Sequence, residues 1–190
     1  PVANTTVAEN AFNGCSLLKT VTFASGSLLG SIGQSAFQKS GLTTISLPAS
    51  VTSMGVNAFY QCSSLKTVTF ASGSTLGSIG QSAFQQSGLT TISLPASVTS
   101  MGFGAFQSCS SLKNVTFASG STLGSIGDNA FYKTELTTIS LPASVTSIKG
   151  GAFNGCSLLK TVTFASGSTL ESIGNNVFQQ SGLTTISLPA

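Results

Sequence analysis

Phenylalanine recurs at positions 12, 37, 59, 84, 106, 131, 153 and 178, with intervals that alternate strictly between 25 and 22 residues. A fixed period of this length marks a repeat protein, in which no unit can bury its large apolar residue alone. Stacking unit on unit encloses all eight rings, so the spacing predicts a solenoid. The full repeat is a pair of coils 47 residues long: residues 58–84 laid over 105–131 match at almost every position.

The longer coil runs Ala58-Phe59, Cys62, Leu65, Val68, Phe70, then Ala71-Ser72-Gly73-Ser74, Leu76 and Ile79. The shorter one runs Ala83-Phe84, Leu89, Ile92, Leu94-Pro95, Val98 and Met101. Leu65-x-x-Val68-x-Phe70 and Leu89-x-x-Ile92-x-Leu94 have the form of a leucine-rich-repeat strand. Period-two alternation turns Val68 and Phe70 inward and Thr67 and Thr69 outward, and β-branched residues suit the pleat. The expected fold is a repeat solenoid of eight coils, each giving one strand to a single parallel sheet through a right-handed crossover. Pro95 ends its strand for want of an N–H, and Ser72-Gly73-Ser74 makes the corresponding turn in the longer coil. Gly80-Gln81-Ser82-Ala83-Phe84 leaves room on the other side for a turn, a 3₁₀ segment or one turn of helix.

The patterns A-F-x-x-C-x-x-L-x-x-V-x-F and S-V-T-S-M-G-x-x-A-F resemble the BspA-like leucine-rich repeats of bacterial and protist surface proteins, from about Val7 to Pro189. The resemblance implies secretion or surface display and binding to a host matrix or cell-surface protein. It names no ligand. Two features depart from a dedicated receptor: charged residues are only 6% of the chain, and the repeats are nearly identical.

The unbroken period leaves no linker, so residues 1–190 read as one solenoid. Apolar residues at fixed slots argue against disorder. No apolar run approaches a membrane span and no signal peptide is evident. A start at Pro1, in the slot of Pro48, Pro95, Pro142 and Pro189, reads as a processed or excised segment. Asn4 and Glu9 would form at most a weak polar cap, so the chain is expected to belong to a longer array or to self-associate through its coil ends.

Cys15, Cys62, Cys109 and Cys156 also recur every 47 residues. Cysteines two coils apart lie about 9–10 Å from each other at the usual strand spacing, beyond the roughly 7 Å that a disulfide spans. With no histidine and no Cys-x-x-Cys, a metal site lacks ligands, and the cysteines read as buried free thiols. No cofactor is implied. Catalysis has little to work with: the only acids are Glu9, Asp128, Glu135 and Glu171, none beside a recurring nucleophile. Asp128 and Glu135 share a coil, but an acid–base pair also needs a pocket. Gly26-x-x-x-Gly30-x-x-Gly33 lacks the spacing and lysine of a P-loop and reads as turns. The chain has no arginine, and its net charge is +3, which argues against nucleic-acid binding.

The exposed sheet face is the remaining candidate. Its first column alternates Lys19, Thr43, Lys66, Thr90, Lys113, Thr137, Lys160 and Thr184. The second reads Thr20, Thr44, Thr67, Thr91, Asn114, Thr138, Thr161 and Thr185; the third alternates Thr22, Thr69, Thr116 and Thr163 with serines. A plain structural account, in which threonine is simply a soluble strand former copied by duplication, covers the same observation. Beyond it, a broad hydroxyl surface with a lysine stripe suits a binding or adhesion module. Thr-x-Thr and Thr-x-Ser rows about 4.8 Å apart along the axis suit ice, though the lysines, Asn114 and expected curvature oppose that reading. A third possibility is a filament or spacer of stacked coils. Asn4-Thr5-Thr6 and Asn114-Val115-Thr116 are glycosylation sequons.

Overall fold

The computed structural model describes residues 5–189. The strands are β1 (Thr5–Val7), β2 (Thr20–Val21), β3 (Leu29–Ile32), β4 (Thr44–Leu47), β5 (Ser53–Met54), β6 (Thr67–Phe70), β7 (Ser78–Ile79), β8 (Thr91–Leu94), β9 (Ser100–Met101), β10 (Asn114–Phe117), β11 (Ser125–Ile126), β12 (Thr138–Leu141), β13 (Ser147–Ile148), β14 (Thr161–Phe164) and β15 (Ser172–Ile173). The expected L-x-x-L-x-L strands are the even-numbered ones, which form the front face. Their burial alternates as foreseen, with Val68, Ile92, Val115 and Ile139 buried between exposed threonines, serines or, on β10, Asn114.

Each coil contributes two strands instead of the expected one. The odd-numbered strands make a continuous eight-stranded parallel sheet in the order β1-β3-β5-β7-β9-β11-β13-β15. Serine pairs with serine and isoleucine or methionine with its like, as in Ser53↔Ser78 and Met54↔Ile79. Two-residue strands are too short to show an alternation, which is why this second sheet does not announce itself in the sequence. Seven turns carry both strands. The eighth has β15 and a stacked Phe178, but no strand forms over 184–187.

Between the two faces the chain turns without a helix among the described residues. Each phenylalanine is flanked, two residues before and two after, by left-handed residues: Asn57 (φ 56) and Gln61 (φ 57) around Phe59, Ser82 (φ 52) and Gln86 (φ 57) around Phe84. This hand is uncommon outside glycine and interrupts any right-handed run. It turns successive N–H groups along the stack. Asn57, Phe59 and Gln61 donate to the carbonyls of Gln81, Ala83 and Gln85 at 2.9, 2.7 and 2.8 Å. The same trio of bonds joins every pair of neighbouring coils, from the Phe12 coil to the Phe178 coil.

All eight phenylalanine rings lie in one column, with centroids 5.1–5.6 Å apart and planes within 3–8° of parallel. The six interior rings are fully buried. Near-parallel aromatic stacking adds to the burial of each ring's large apolar surface.

The front face is not one sheet. Ladders join β2-β4-β6, β8-β10 and β12-β14, but none joins β6 to β8 or β10 to β12. Proline weakens these junctions without always abolishing them, since β2 and β4, across the Pro48 junction, keep a ladder of two residues. Where a longer coil follows a shorter one, the residue after the strand donates back: Ala71 N to Leu47 O (3.0 Å), Ala118 N to Leu94 O (3.0 Å), Ala165 N to Leu141 O (2.9 Å). Where a shorter coil follows a longer one, that slot holds Pro48, Pro95, Pro142 or Pro189, which has no N–H to give. The strand over 184–187 fails at the same kind of junction, with no later coil in the described chain to pair on its other side.

One glycine slot is broken. Gly41, Gly88 and Gly182 each donate N–H to a cysteine carbonyl of the preceding coil, at 3.0, 3.1 and 3.2 Å. A Cβ at these positions would run into the backbone of Ser16, Ser63 or Ser157. The fourth copy of the slot is Glu135, and there the bond has no counterpart.

Candidate functional site

The columns read from the sequence are in register. Thr20 pairs with Thr44. Thr44 pairs with Thr67, and Ser46 with Thr69. Thr91 pairs with Asn114, and Ser93 with Thr116; Thr138 pairs with Thr161, and Ser140 with Thr163. All the named face residues are exposed except Thr43, which is half-buried and donates its hydroxyl to the Lys19 carbonyl at 3.2 Å. Within each ladder the second and third columns therefore make two parallel hydroxyl-bearing rows, interrupted at Asn114, with a buried residue between them on each strand.

The first column differs from those rows. Lys19, Lys66, Lys113 and Lys160 stand just before the ladders, where Lys66, Lys113 and Lys160 donate backbone N–H to Thr43, Thr90 and Thr137 carbonyls at 2.8, 2.9 and 2.9 Å. The ammonium groups of Lys19 and Lys66 fold along the axis over Gly41 and Gly88 of the next coil. The lysine row thus flanks the hydroxyl rows at a two-coil interval. Thr184 and Thr185 are exposed but belong to no strand, so the structure does not hold them in the lattice. Of the two sequons, Asn4 lies outside the described residues, and Asn114 is exposed on β10.

Cys62, Cys109 and Cys156 are buried and free. Their thiols donate to the carbonyls of Phe37, Phe84 and Phe131 in the preceding coil at 2.9, 3.0 and 3.0 Å. Burial pushes all three thiols up, Cys109 to about 11, against the opposing hydrogen bonds from Ser40, Ser87 and Thr134. Cys15 departs from the expected burial: it is exposed, because its coil has no preceding phenylalanine coil to cover it. Asp128 does not reach toward Glu135 as half of a catalytic pair; its carboxylate accepts the Gly150 N–H at 3.1 Å. Of the glycines in the loose phosphate-loop pattern, Gly26 turns the chain with φ 72, whereas Gly30 lies inside β3.

The sequence reading missed a set of notches at the proline seams. Four of them open beside Phe23, Phe70, Phe117 and Phe164, each walled by the Ala-Ser-Gly-Ser turn of one coil and the Leu-Pro segment of the next, with open volumes of about 410–630 Å³. The signal for them was the proline at every second strand end.

This geometry has known counterparts. The model for a BspA type leucine rich repeat region matches in two overlapping segments, 1–89 and 77–190. No curated protein matches. Among solved structures, a leucine-rich repeat protein from Bacteroides ovatus superposes with a TM-score of 0.69 at 24% identity, over 97% of this chain and 58% of its own. The leucine rich repeat protein of T. pallidum gives a TM-score of 0.73 at 29% identity, over 85% of this chain and 74% of its own. A leucine rich cell surface protein from Faecalibacterium prausnitzii gives 0.51 at 34% identity, over 76% of this chain and 44% of its own. The chain thus spans little more than half of the B. ovatus protein it resembles. With the family model covering its whole length, and the fold matching independently, the chain belongs to the BspA type leucine-rich repeat family.

Proposed function

We propose that this chain is a non-enzymatic, secreted or cell-surface module that binds a matrix or cell-surface protein through its front face. The observation that carries this reading is the in-register pair of exposed hydroxyl rows flanked by the lysine row, on strands whose other face is locked in the core. A rigid, hydroxyl-rich surface loses little side-chain freedom when it binds, which favours broad hydrogen-bonded contact. The family, and a similar protein described as a leucine rich cell surface protein, support the location.

The test is a triple variant, Thr67→Arg, Thr91→Arg and Thr138→Arg. These side chains face solvent, so each change should move stability by no more than about 0.5 kcal/mol. Attachment to matrix protein or cells should fall at least about tenfold, a loss of 1.4 kcal/mol. Attachment at wild-type level, in a variant that melts normally, would remove the front face from consideration.

Ice binding is the second reading, favoured by the register of the threonine columns. The proline seams weigh against it, because they divide the face into three ladders where an ice plane asks for one unbroken lattice. Under that reading the wild type shows thermal hysteresis, the triple variant loses it, and neither attaches to matrix.

A further inference from the structure

We infer that the partner of this face is an acidic, proline-rich segment in the polyproline II conformation, lying along the solenoid axis with every third residue seated in a proline-seam notch. The inference rests on the binding reading above and adds the class of partner.

Spacing is the first argument. The notches recur once per two coils, which at the usual separation of parallel strands is about 9.6 Å. A polyproline II helix turns once in three residues and rises about 9.3 Å in doing so. The mismatch is about 0.3 Å per notch and near 1 Å over all four, within the reach of side-chain adjustment. An extended β-strand laid along the axis would repeat every two residues, or about 6.8 Å, and would lose register by the second notch.

The chemistry of each notch points the same way. Phe70 is half-buried, so one edge of its ring faces the gap opposite Leu94 and Pro95. Phe117 stands likewise opposite Leu141 and Pro142. An aromatic edge with apolar walls is the kind of slot in which proline-rich segments dock. The carbonyls of Phe23, Phe70 and Phe117 lack the donor that an alanine N–H supplies to Leu47, Leu94 and Leu141. They can accept an N–H from a non-proline residue of the ligand, since polyproline II backbone groups have no internal partners.

Charge completes the case. No ionisable side chain lines the four notches. At the other end of the same strands stand Lys19, Lys66, Lys113 and Lys160, again one per two coils. Four residues of strand separate Lys66 from Phe70, about 13 Å, which the width of the ligand and an acidic side chain together cover. With proline in the notch, a three-residue repeat carrying one carboxylate places an acid opposite each lysine.

The experiment uses the 190-residue chain and a labelled peptide of five Pro-Pro-Glu repeats, read by fluorescence anisotropy at low and physiological salt. Five repeats of Pro-Pro-Gly-Glu carry the same charge at a four-residue period. The inference expects saturable binding of the first peptide and at least about tenfold weaker binding of the second, a difference of 1.4 kcal/mol. Ser72→Trp with Ser119→Trp fills the two middle notches from exposed positions and should weaken the first peptide by a similar factor. Lys66→Ala with Lys113→Ala should flatten its salt dependence. Absence of binding, equal binding of the two peptides, or indifference to the filled notches overturns the inference. Attachment of the same preparation to matrix or cells is measured alongside. If attachment persists while the peptide fails, only the partner class is wrong; if both fail, the binding reading falls with it.

Discussion

Removing a single ring from the middle of the phenylalanine column should do disproportionate damage. Phe84 is fully buried, with Phe59 at 5.2 Å on one side and Phe106 at 5.3 Å on the other. Phe84→Ala forfeits the transfer free energy of the ring and leaves a cavity that hydrogen-bonded coils on both sides cannot close, a combination that costs about 3–5 kcal/mol. Two lost stacking contacts lie within that range, since each is worth roughly 0.5–1.5 kcal/mol. Phe178 ends the column, has one neighbour at 5.6 Å and is partly exposed, so Phe178→Ala should cost roughly half as much. Thr91→Ala, on the exposed face, should stay within about 0.5 kcal/mol. Urea melts followed by circular dichroism rank the three. Because neighbouring coils couple only to each other, the Phe84 variant should also broaden its transition as the two halves of the stack begin to melt separately. Equal losses at Phe84 and Phe178 would mean that the column is not what holds the coils together.

Two further outcomes concern the thiols. In the folded protein a thiol reagent should label Cys15 quickly and Cys62, Cys109 and Cys156 slowly, because burial suppresses both access and thiolate formation; unfolding without reductant should release all four, and an intact mass showing a disulfide would contradict the coil spacing. Cys109, raised by burial from 9.0 to about 11, keeps its proton in the fold at a pH where the unfolded chain has lost it. Stability is therefore full below pH 9 and falls as pH rises through the window from 9 to about 11, and a Cys109→Ala variant melted across that window should show a shallower decline.

The column of rings, the front strands and the registers of the threonine rows could be read from spacing alone, because each rests on a large residue or a strict alternation repeated many times. The second sheet could not. From β5 onward its strands are Ser-Ile or Ser-Met pairs, shorter than one full alternation, and their pairing is imposed by the stacking of coils already aligned elsewhere. Of the expected alternatives at these corners a plain turn forms and the helical ones do not, because Ser35, Gln61, Ser82 and Gln86 adopt a left-handed backbone that their identities do not advertise. Neighbouring coils hold them there through the three N–H donors per junction. The exposure of Cys15 and the unpaired segment 184–187 are effects of position in the stack, and near-identical repeats carry no local signal of position.

The alternation of 25 and 22 residues has a consequence beyond coil size. If every strand ended in Ala-Ser-Gly-Ser, each would receive the N–H that Ala71 gives Leu47, and the front face would be one closed ladder. If every strand ended in Leu-Pro, none would receive it, and every junction would lack the bond that closes the end of the ladder. Alternating the two gives every second junction a full four-residue ladder, while of the proline junctions the one at Pro48 keeps two residues and those at Pro95 and Pro142 keep none. The closed junctions supply hydrogen bonds that keep the threonine rows in register, while the buried column of rings holds the open ones at fixed separation. An opening that is held in place, repeated at twice the coil spacing, differs physically from a fraying edge: it has a defined period and wall chemistry. That is why the seams are more specific candidates for recognition than the threonine rows, whose 4.8 Å period any parallel sheet of threonines would share.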